Sequence, residues 1–229
     1  IRRPPRSTLS SSSAASDVYK RQLKASNEIA QEFGPCPLFS ETQYAKGIMP
    51  IDSYKKDIDK FCNTKLELDW DTLRKNIQEK GLRNSTLTAL MPCESSSQIS
   101  NSTNGIEPPR GFISVKQSKD GILKQVVPEY EKLHKKYELL WDIKDNEGYL
   151  QLCAIMQKFV DQSISTNTHY DPSQYDGNRV PMKLFLMDLL KAYKYGIKTL
   201  YYHTTRDGAS DESIEKKGDD DCEDGVCKL

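Results

Sequence analysis

The chain has 229 residues, with 33 basic and 33 acidic side chains and a net charge of zero at pH 7. No basic surface emerges from this balance, so the composition argues against nucleic-acid binding, and no apolar run is long enough to predict a membrane span. The six cysteines are too few for a disulfide scaffold and are more typical of a reducing compartment.

The first segment, residues 1–22, is rich in arginine and serine and has five basic side chains against Asp17. This composition superficially suggests an organelle transit peptide, but Pro4 and Pro5 oppose the amphipathic helix that such a peptide needs. The segment also resembles a translated sequencing-adapter peptide that recurs in transcriptome-derived sequences. We therefore predict that it is non-native and disordered, that the fold begins at Leu23, and that native sequence continues upstream.

The next part of the chain alternates between helical and extended patterns. In chain order, the patterns predict a helix over 23–33, a helix over 70–79, a strand over 86–91, a hairpin over 111–127 and a helix over 149–162. Gly34-Pro35 and Gly81 are the predicted stops of the first two helices. Asp120-Gly121 is the predicted turn of the hairpin.

A strand–helix–strand unit follows, with strands over 163–168 and 197–202 and a helix over 181–195 that Gly196 caps. This order is typical of a parallel α/β arrangement. Parallel strands are buried on both faces and need more neighbours than this segment supplies, which indicates part of a barrel or large sheet. We expect the apolar side of this helix, with Leu184, Met187, Leu190 and Ala192, to lie in a core; a docking groove is the alternative.

After Arg206 the composition becomes acidic and polar, with nine acidic side chains against three lysines over residues 207–229. Such a segment cannot bury enough apolar surface to fold, so we predict a disordered tail. Cys222 and Cys227 lie close enough in sequence to form a disulfide. A zinc site would need two more ligands, and an idle exposed pair would be open to oxidation, so a redox pair is favoured.

Three further features carry chemistry-bearing side chains. The loop over 91–105 is rich in hydroxyls and amides, which suits a phosphate site, although composition alone favours an ordinary polar loop. Arg110 follows two prolines and could contact a phosphate, a carboxylate or only solvent. Tyr201 and Tyr202 are adjacent, and on a regular strand their side chains would point to opposite faces.

Four runs of sequence resemble the large, catalytic subunit of class I ribonucleoside-diphosphate reductases: "GLRNSTLTALMPCESSSQISNSTNGIEPPRG", "GYLQLCAIMQKFVDQSIS", "KTLYYHTTRDG" and "CEDGVCKL". The resemblance extends in order from Leu23 to Leu229. It implies the C-terminal part of that family's ten-stranded α/β barrel over residues 23–206 and a flexible redox-shuttle tail over 207–229. It also implies radical reduction of ribonucleoside diphosphates to 2′-deoxyribonucleoside diphosphates, for DNA precursor synthesis.

The resemblance implies a substrate-binding loop. The family's loop for the substrate diphosphate corresponds to Pro92, Cys93, Glu94, Ser95 and Ser96. Ser95 keeps the hydroxyl of a more common threonine. Cys93 replaces a serine with a weaker donor, so any side-chain contact there is in doubt, whereas a backbone contact would remain.

The resemblance also implies two redox pairs. Tyr201 and Tyr202 correspond to the pair that transfers a radical from the small subunit to an active-site cysteine. Because the family stacks these rings, we predict a departure from regular strand geometry at this point. Cys222 and Cys227 correspond to the tail pair that reduces the active-site disulfide after each turnover and is recharged by thioredoxin or glutaredoxin.

The remaining implications concern cofactors and partners. The fragment is expected to bind no cofactor or metal; the family's metal-linked radical is on the small subunit, and its ATP and dNTP effectors bind an N-terminal region. The full-length protein is expected to be a cytoplasmic homodimer, with no nucleic-acid or membrane partner. Since the family's radical cysteine lies upstream, we predict no activity for the fragment alone. The alternative is an inactive truncated module that docks the small subunit or a thioredoxin-like protein.

Overall fold

The computed structural model describes residues 6–63, 68–118 and 121–206. Its α-helices are α1 (Arg6–Phe33), α2 (Pro50–Ser53), α3 (Trp70–Lys80), α4 (Glu94–Ile99), α5 (Tyr130–Leu133), α6 (Glu147–Gln157) and α7 (Met182–Tyr195). Its strands are β1 (Ile113–Ser118), β2 (Gly121–Val126), β3 (Thr166–Tyr170) and β4 (Leu200–Thr205). Short 3-10 helices occupy Phe39–Glu41, Tyr44–Lys46, Lys56–Lys60, His134–Lys136, Leu140–Asp142, Pro172–Gln174 and Asp176–Asn178. Together these elements give an α/β fold.

The chain divides into two compact units. The first comprises Ile1–Met91, Asn146–Thr168 and Pro181–Tyr202, and the second comprises Pro92–Asp145, His169–Val180 and His203–Leu229. The first unit contains the longer helices α1, α3, α6 and α7. The second contains α4, α5 and the β1–β2 hairpin.

Helix α1 includes most of the segment that the sequence placed outside the fold. Residues 6–22 are helical, and Tyr19 is buried in a core cluster with Leu23 and Trp70. Ser12 and Ser16 are also buried and lie one helical turn apart on the same side as Tyr19. These small serines pack against the rest of the unit, although the serine-rich composition had suggested a disordered segment. The adapter-like origin of the segment stays a prediction.

Helix α3 confirms the predicted helix that stops at Gly81. It begins after Asp69, whose carboxylate accepts the Thr72 N–H at 3.0 Å. Hydrogen bonds from the Thr72 side chain and backbone hold the pKa of Asp69 below its ordinary value. At its other end the Gly81 N–H donates to the Ile77 carbonyl at 2.8 Å. Gly81 has φ +81°, and a Cβ there would lie 2.6 Å from the Cβ of Pro35. Only glycine satisfies both conditions.

Helix α6 confirms the predicted helix over 149–162, although it ends at Gln157. Leu150, Cys153 and Ile155 are completely buried. Ala154 and Gln157 are buried as well, so burial is not confined to a narrow stripe of the helix. Helix α6 is therefore a central element of the first unit, against which α1 and α7 pack.

Helix α7 turns its polar side toward α6. The Asn146 Nδ2 donates to Asp188 at 2.8 Å, and Asp188 is only 1% exposed. Lys191 forms an ion pair with Glu147, and the Tyr195 hydroxyl donates to Glu147 Oε1 at 2.5 Å. Burial and this hydrogen bond raise the pKa of Tyr195 to about 12. Polar contacts thus hold these two helices together.

The opposite side of α7 is apolar and exposed. This apolar stripe consists of Met182, Leu186, Leu189, Leu190 and Tyr193, which are 46% to 71% exposed and share one helix face. The sequence placed the helix's apolar side in a core. That prediction is wrong for Met187 and Leu190, which are 42% and 60% exposed, whereas it is confirmed for Ala192, which is 2% exposed. Leu184 is half-buried. The buried side of α7 combines Ala192 with the polar residues Asp188 and Tyr195.

A short parallel contact lies where the sequence predicted a strand over 86–91. Leu90 forms an isolated parallel bridge with Ile164. The Leu90 N–H donates to the Ser163 carbonyl at 3.0 Å, and the Ser165 N–H donates to the Leu90 carbonyl at 2.8 Å. The predicted strand is therefore reduced to one bridge position beside the segment that leads into β3.

Strands β3 and β4 form a two-stranded sheet. The Thr199 hydroxyl contacts the Ile164 carbonyl, and three residues further along both segments the Tyr202 N–H contacts Asn167. Because the contacts advance in the same direction, the strands run parallel, as the strand–helix–strand pattern predicted. Each strand begins three residues later than predicted.

Strands β1 and β2 confirm the predicted hairpin. They pair antiparallel from Ile113 opposite Val126 to Ser118 opposite Gly121. The predicted turn residue Asp120 lies outside the described residues. Within the described part of the chain, the named strands form this hairpin and the β3–β4 pair, and no closed barrel.

Candidate functional site

The rings of Tyr201 and Tyr202 are in contact on strand β4. Their centroids lie 4.0 Å apart and their planes make an angle of 50°. Both rings are more than half exposed, at 52% and 58%. Consecutive side chains of a regular strand point to opposite faces, so the contact requires a local deviation from regular geometry. The sequence predicted such a deviation, although both residues remain within β4.

Side chains fix the segment that precedes the tyrosine pair. Lys198 Nζ donates to the Val160 carbonyl at 3.2 Å and to the Asp161 carbonyl at 2.5 Å. Burial lowers the pKa of Lys198. The Thr199 hydroxyl donates to the Ile164 carbonyl at 3.4 Å. These contacts set the position of the strand before the first tyrosine.

The turn between α7 and β4 determines where this segment starts. Gly196 caps α7 with φ +85°, and the Ile197 N–H donates to the Ala192 carbonyl at 3.0 Å. A Cβ at Gly196 would lie 2.7 Å from the Cγ of Lys55. The turn therefore requires glycine, as the sequence predicted.

Asp161 joins three segments of the first unit. Its carboxylate accepts the Leu87 and Thr88 N–H groups at 2.7 and 2.8 Å and the Tyr44 hydroxyl at 3.0 Å. Tyr44 in turn contacts the Tyr19 hydroxyl. Burial raises the pKa of both phenols, so each stays protonated at neutral pH.

The predicted phosphate loop contains the short helix α4, which Glu94 begins. Cys93 precedes this helix, and its N–H donates to the Asn104 carbonyl at 3.1 Å. The Ser96 N–H donates back to the Cys93 carbonyl at 2.9 Å. The loop is thus closed on itself by backbone hydrogen bonds, which hold Cys93 at its base.

The side chains of this loop differ in exposure. Pro92 is half-buried, whereas Cys93, Ser95 and Ser96 are exposed. Exposed hydroxyls can donate to an anionic oxygen, while the Cys93 thiol is a weaker donor. Three of the five predicted substrate residues are therefore exposed on this segment, and their role in substrate binding stays a prediction.

The β1–β2 hairpin supports the same loop in the second unit. Gln125 Nε2 donates to the carbonyls of Ser97 and Ser102, each at 3.4 Å. Ser97 is buried, and its carbonyl also accepts the Ser102 N–H at 2.9 Å. Sequence analysis missed this support because the hairpin and the loop looked like independent segments.

Arg110 lies over an aromatic ring. Its guanidinium carbon is 6.0 Å from the centre of the Trp141 ring, a cation–π arrangement. The same ring meets His169 edge-on, and His169 Nε2 lies 3.4 Å from a carboxylate oxygen of Glu107. Arg110 therefore has a packing role in addition to any role in anion binding.

A cavity of about 310 Å³ lies in the second unit, lined by Asp171, Pro172, Ser173, Asn178 and Arg206. Arg206 pairs with Asp171 at 3.1 Å, and its N–H donates to the carbonyl of the residue before Asp171. Burial raises the pKa of Asp171, but hydrogen bonds from Ser173 and Arg206 outweigh it and hold the pKa below its ordinary value. Arg206 is thereby fixed at the last described position of the chain.

The predicted redox thiols Cys222 and Cys227 lie outside the described residues. Within the described residues, Cys36, Cys62, Cys93 and Cys153 are not joined in disulfides. The described residues contain no cluster of three or more histidine, cysteine or carboxylate side chains that could hold a metal ion. In the same part of the chain, no helix is long and apolar enough to cross a membrane.

Sequence reasoning missed three side chains that position these features: Asn167, Asp161 and Asp171. An Asp-Pro-Ser sequence is a helix-start pattern, and Asp171 does accept the Ser173 N–H at the start of a 3-10 helix. That signal could have identified it. Asn167 and Asp161 bind groups at least 35 positions away in sequence, so no local pattern reveals them.

Parallel strands joined by a crossover helix, with two tyrosine rings in contact on the second strand, define an α/β protein. Residues 6–203 match the family model of the ribonucleotide reductase barrel domain, and the chain belongs to this family. It is 63% identical over 210 residues to ribonucleoside-diphosphate reductase 1 subunit alpha of Escherichia coli (strain K12). It is 65% identical over 207 residues to the subunit alpha of Haemophilus influenzae and 49% over 211 residues to that of enterobacteria phage T4.

These matches cover 90% of this chain but only 27% to 28% of each relative. The chain therefore spans less than a third of the length of the relatives it matches. The family match therefore concerns one part of the longer subunits to which the chain is similar.

Proposed function

We propose that this chain is the C-terminal part of the catalytic large subunit of a class I ribonucleoside-diphosphate reductase. The complete subunit would form a ten-stranded α/β barrel, of which β3 and β4 are neighbouring parallel strands. The observation that carries the proposal is the ring contact between Tyr201 and Tyr202. Electron transfer between aromatic side chains needs such proximity, whereas two structural tyrosines would occupy opposite faces of the strand.

The proposed reaction replaces the 2′-hydroxyl of a ribonucleoside diphosphate with hydrogen. The C2′–O bond breaks, the hydroxyl leaves as water, and hydrogen is added at C2′. Two thiols supply the two electrons and two protons and become a disulfide. In this proposal Tyr201 and Tyr202 transfer the initiating radical, each by losing and regaining an electron and the phenolic proton.

Cys222 and Cys227 are proposed to restore the dithiol. A thiolate of the pair attacks the active-site disulfide, the second thiol resolves the mixed disulfide, and the pair leaves oxidised. Thioredoxin or glutaredoxin then reduces it. A flexible chain of about sixteen residues, the separation of Arg206 from Cys222, spans roughly 20–25 Å, which is the reach we propose for the tail.

The loop over residues 92–96 is proposed to bind the substrate diphosphate. Its support is the exposure of Ser95 and Ser96 on a segment closed by backbone hydrogen bonds. Pro92, Cys93 and Glu94 complete the segment. Hydroxyl and backbone N–H donors suit phosphate oxygens, and the backbone contribution is unaffected by the thiol of Cys93.

The proposal assigns the remaining components to other parts of the enzyme. This chain would bind no cofactor; a metal-linked radical would come from the small subunit, and ATP and dNTP effectors would bind an N-terminal region of the complete subunit. The complete subunit would be a cytoplasmic homodimer that neither nucleic acid nor membrane engages. The relatives' name "subunit alpha" supports a partner subunit.

A chimeric subunit tests this function. Residues 23–229 replace the matching C-terminal part of the Escherichia coli relative, and reduction of cytidine diphosphate is measured with that organism's small subunit and thioredoxin. We expect turnover. Tyr201→Phe and Tyr202→Phe should each abolish it, because phenylalanine keeps the ring but cannot form a phenoxyl radical.

The control for this test is Tyr175→Phe. The Tyr175 hydroxyl makes an exposed 3.4 Å contact with the Lys144 carbonyl, away in sequence from the tyrosine pair, so its loss should leave turnover unchanged. A folded chimera that binds the small subunit but shows no turnover would contradict the proposed function. So would full activity of either tyrosine-pair variant. The chain without the upstream part is expected to be inactive in the same assay.

A second candidate function is favoured by the apolar stripe of α7. Its five exposed apolar side chains lie on one helix face. A contiguous exposed apolar patch often marks an interaction site, whereas scattered exposed apolar residues do not. As a separate polypeptide the chain would then be an inactive module that docks the small subunit through this face. The small subunit is the proposed occupant because the relatives are subunits of a multi-subunit enzyme.

Binding of this chain to the small subunit tests the docking role. The double variant Leu186→Asp with Leu190→Asp should weaken binding strongly, because it places two charges in the apolar contact. Lys75→Asp makes the same change in net charge at an exposed position of α3, outside the stripe, and should retain binding. Equal binding by all three proteins would eliminate docking through the stripe.

A further inference from the structure

The hydrogen bond between Asn167 and the Tyr202 backbone stands apart from the rest of the β3–β4 contacts. The Tyr202 N–H donates to the side-chain carbonyl Oδ1 of Asn167 at 3.0 Å. In a regular parallel ladder, a strand N–H meets a backbone carbonyl of the neighbouring strand. Here the acceptor extends from β3 on a side chain. A side chain therefore contributes to the register of Tyr202.

The N–H concerned belongs to the peptide group that joins Tyr201 to Tyr202. Because a peptide group is planar, its orientation is set by ψ of the residue before it and φ of the residue after it. Those two dihedral angles determine the relative direction of two consecutive side chains. A hydrogen bond that orients this plane therefore acts directly on the geometry that brings the two rings together.

The neighbouring side-chain contacts act on an earlier part of the strand. Lys198 and Thr199 hold the strand to the segment before β3. They set where the strand begins, two residues before Tyr201. They do not act on the plane between the two tyrosines. The hydrogen bond of Asn167 acts further along, on the peptide group between the two rings, whose centroids lie 4.0 Å apart.

We propose that Asn167 is a positioning residue that orients the peptide group between Tyr201 and Tyr202 and thereby maintains their ring contact. Its effect on radical transfer rests on the proposed function, whereas its effect on the ring contact does not. Asn167 is half-buried on β3 and touches the pair through the backbone. It acts through the tyrosines and takes no part in the electron transfer itself.

The first test measures geometry in this chain. Asn167→Leu keeps the approximate size of the side chain but removes the acceptor, and Asn167→Asp keeps an acceptor oxygen at the same position. Hydrogen exchange of the Tyr202 amide and the nuclear Overhauser contact between the two rings are followed by NMR. We expect the leucine variant to exchange about tenfold faster at Tyr202 and to lose the ring contact. The aspartate variant should retain both properties.

Two further variants keep the test decisive. Thr199→Val removes a hydrogen bond of the same strand that does not involve the 201–202 peptide group, so it should leave the Tyr202 amide and the rings unchanged. If the leucine variant fails to fold, Asn167→Gln displaces the acceptor by one methylene and should give the same changes. Retention of the ring contact without the acceptor, or its loss in the aspartate variant, would overturn the proposal.

The second test measures transfer in the chimeric subunit. Asn167→Leu should lower kcat about tenfold without changing KM for the ribonucleoside diphosphate, and Asn167→Asp should restore kcat. An inactive parent chimera would be a failure of the proposed function, and the NMR result would still decide the role of Asn167. Unchanged kcat in a variant that has lost the ring contact would overturn the effect of Asn167 on radical transfer, while its role in maintaining the ring contact would stand.

Discussion

Helices α6 and α7 pack against each other but distribute their side chains in opposite ways. Helix α6 buries apolar residues such as Leu150 and Ile155, as a helix of a globular core does. Helix α7 instead buries Asp188 against α6 and exposes the apolar stripe that includes Leu190. The difference shows that an amphipathic pattern identifies two faces but does not say which one meets the core. That choice depends on where the polar partners lie.

The largest expected effect concerns the apolar packing of α6. Ile155→Ala should lower the free energy of unfolding by about 2–5 kcal/mol, because it leaves a cavity at a completely buried position. Leu190→Ala is the matched change on α7 and should lie within about 0.5 kcal/mol of the parent, since Leu190 is 60% exposed. Urea unfolding of both variants measures the contrast. Equal losses would mean that the apolar stripe is part of the core after all.

A smaller effect is expected from the polar contact between the helices. Asp188→Ala removes the acceptor of the Asn146 amide in a buried position and should destabilise the chain by about 1–3 kcal/mol. The same urea unfolding measures it. Asp142→Ala, an exposed position, is the control and should change little. If Asp188→Ala left the free energy of unfolding unchanged, the polar side of α7 would not be what holds the helix in place.

The smallest effect is a pH dependence at Glu147. Burial raises the pKa of this carboxyl, but hydrogen bonds from Lys191, Tyr195 and Gln151 outweigh it and lower the pKa below its ordinary value of 4.5. As the pH falls, the unfolded chain binds this proton first. The contribution of Glu147 is therefore complete above the ordinary value and is lost as the pH falls through the folded value.

Glu147→Gln should flatten this part of the profile. Between neutral pH and about pH 3, the parent should lose more unfolding free energy than the variant, because glutamine has no charge to titrate. Glu131→Gln on the short helix α5 serves as the control, since Glu131 is exposed. Parallel profiles for the parent and the Glu147 variant would exclude a stabilising role for the ionised carboxylate.

Local signals predicted the elements whose causes are local. Gly81 and Gly196 mark helix ends because their positive φ values follow from one residue type, and the β1–β2 hairpin followed from its strand and turn pattern. The inward side of α7 was not predictable, since its cause is the position of Glu147 and Asn146 on another helix. The buried face of α1 was missed because small serines carry no apolar signal.

The candidate site likewise has features that sequence motifs identified and features that only the structure shows. Tyr201, Tyr202 and the segment from Pro92 to Ser96 were identified through resemblance to family motifs. The resemblance also implied that the two rings stack, and the structure shows their centroids 4.0 Å apart. Asn167, which binds the peptide group between them, lies 35 positions away from Tyr202. A sequence pattern confined to one segment cannot describe a hydrogen bond whose two groups come from different strands.

The three-way bonding of Asp161 has a consequence for how the first unit folds. Its carboxylate joins Tyr44, 117 positions earlier, and Leu87, 74 positions earlier. Closing chains of this length is entropically unfavourable until other contacts have brought the segments together. Helices such as α3 form from neighbouring residues and can appear first. We therefore expect the bonds of Asp161 to form late in folding, so that contact order rather than helix formation limits the folding rate of this unit.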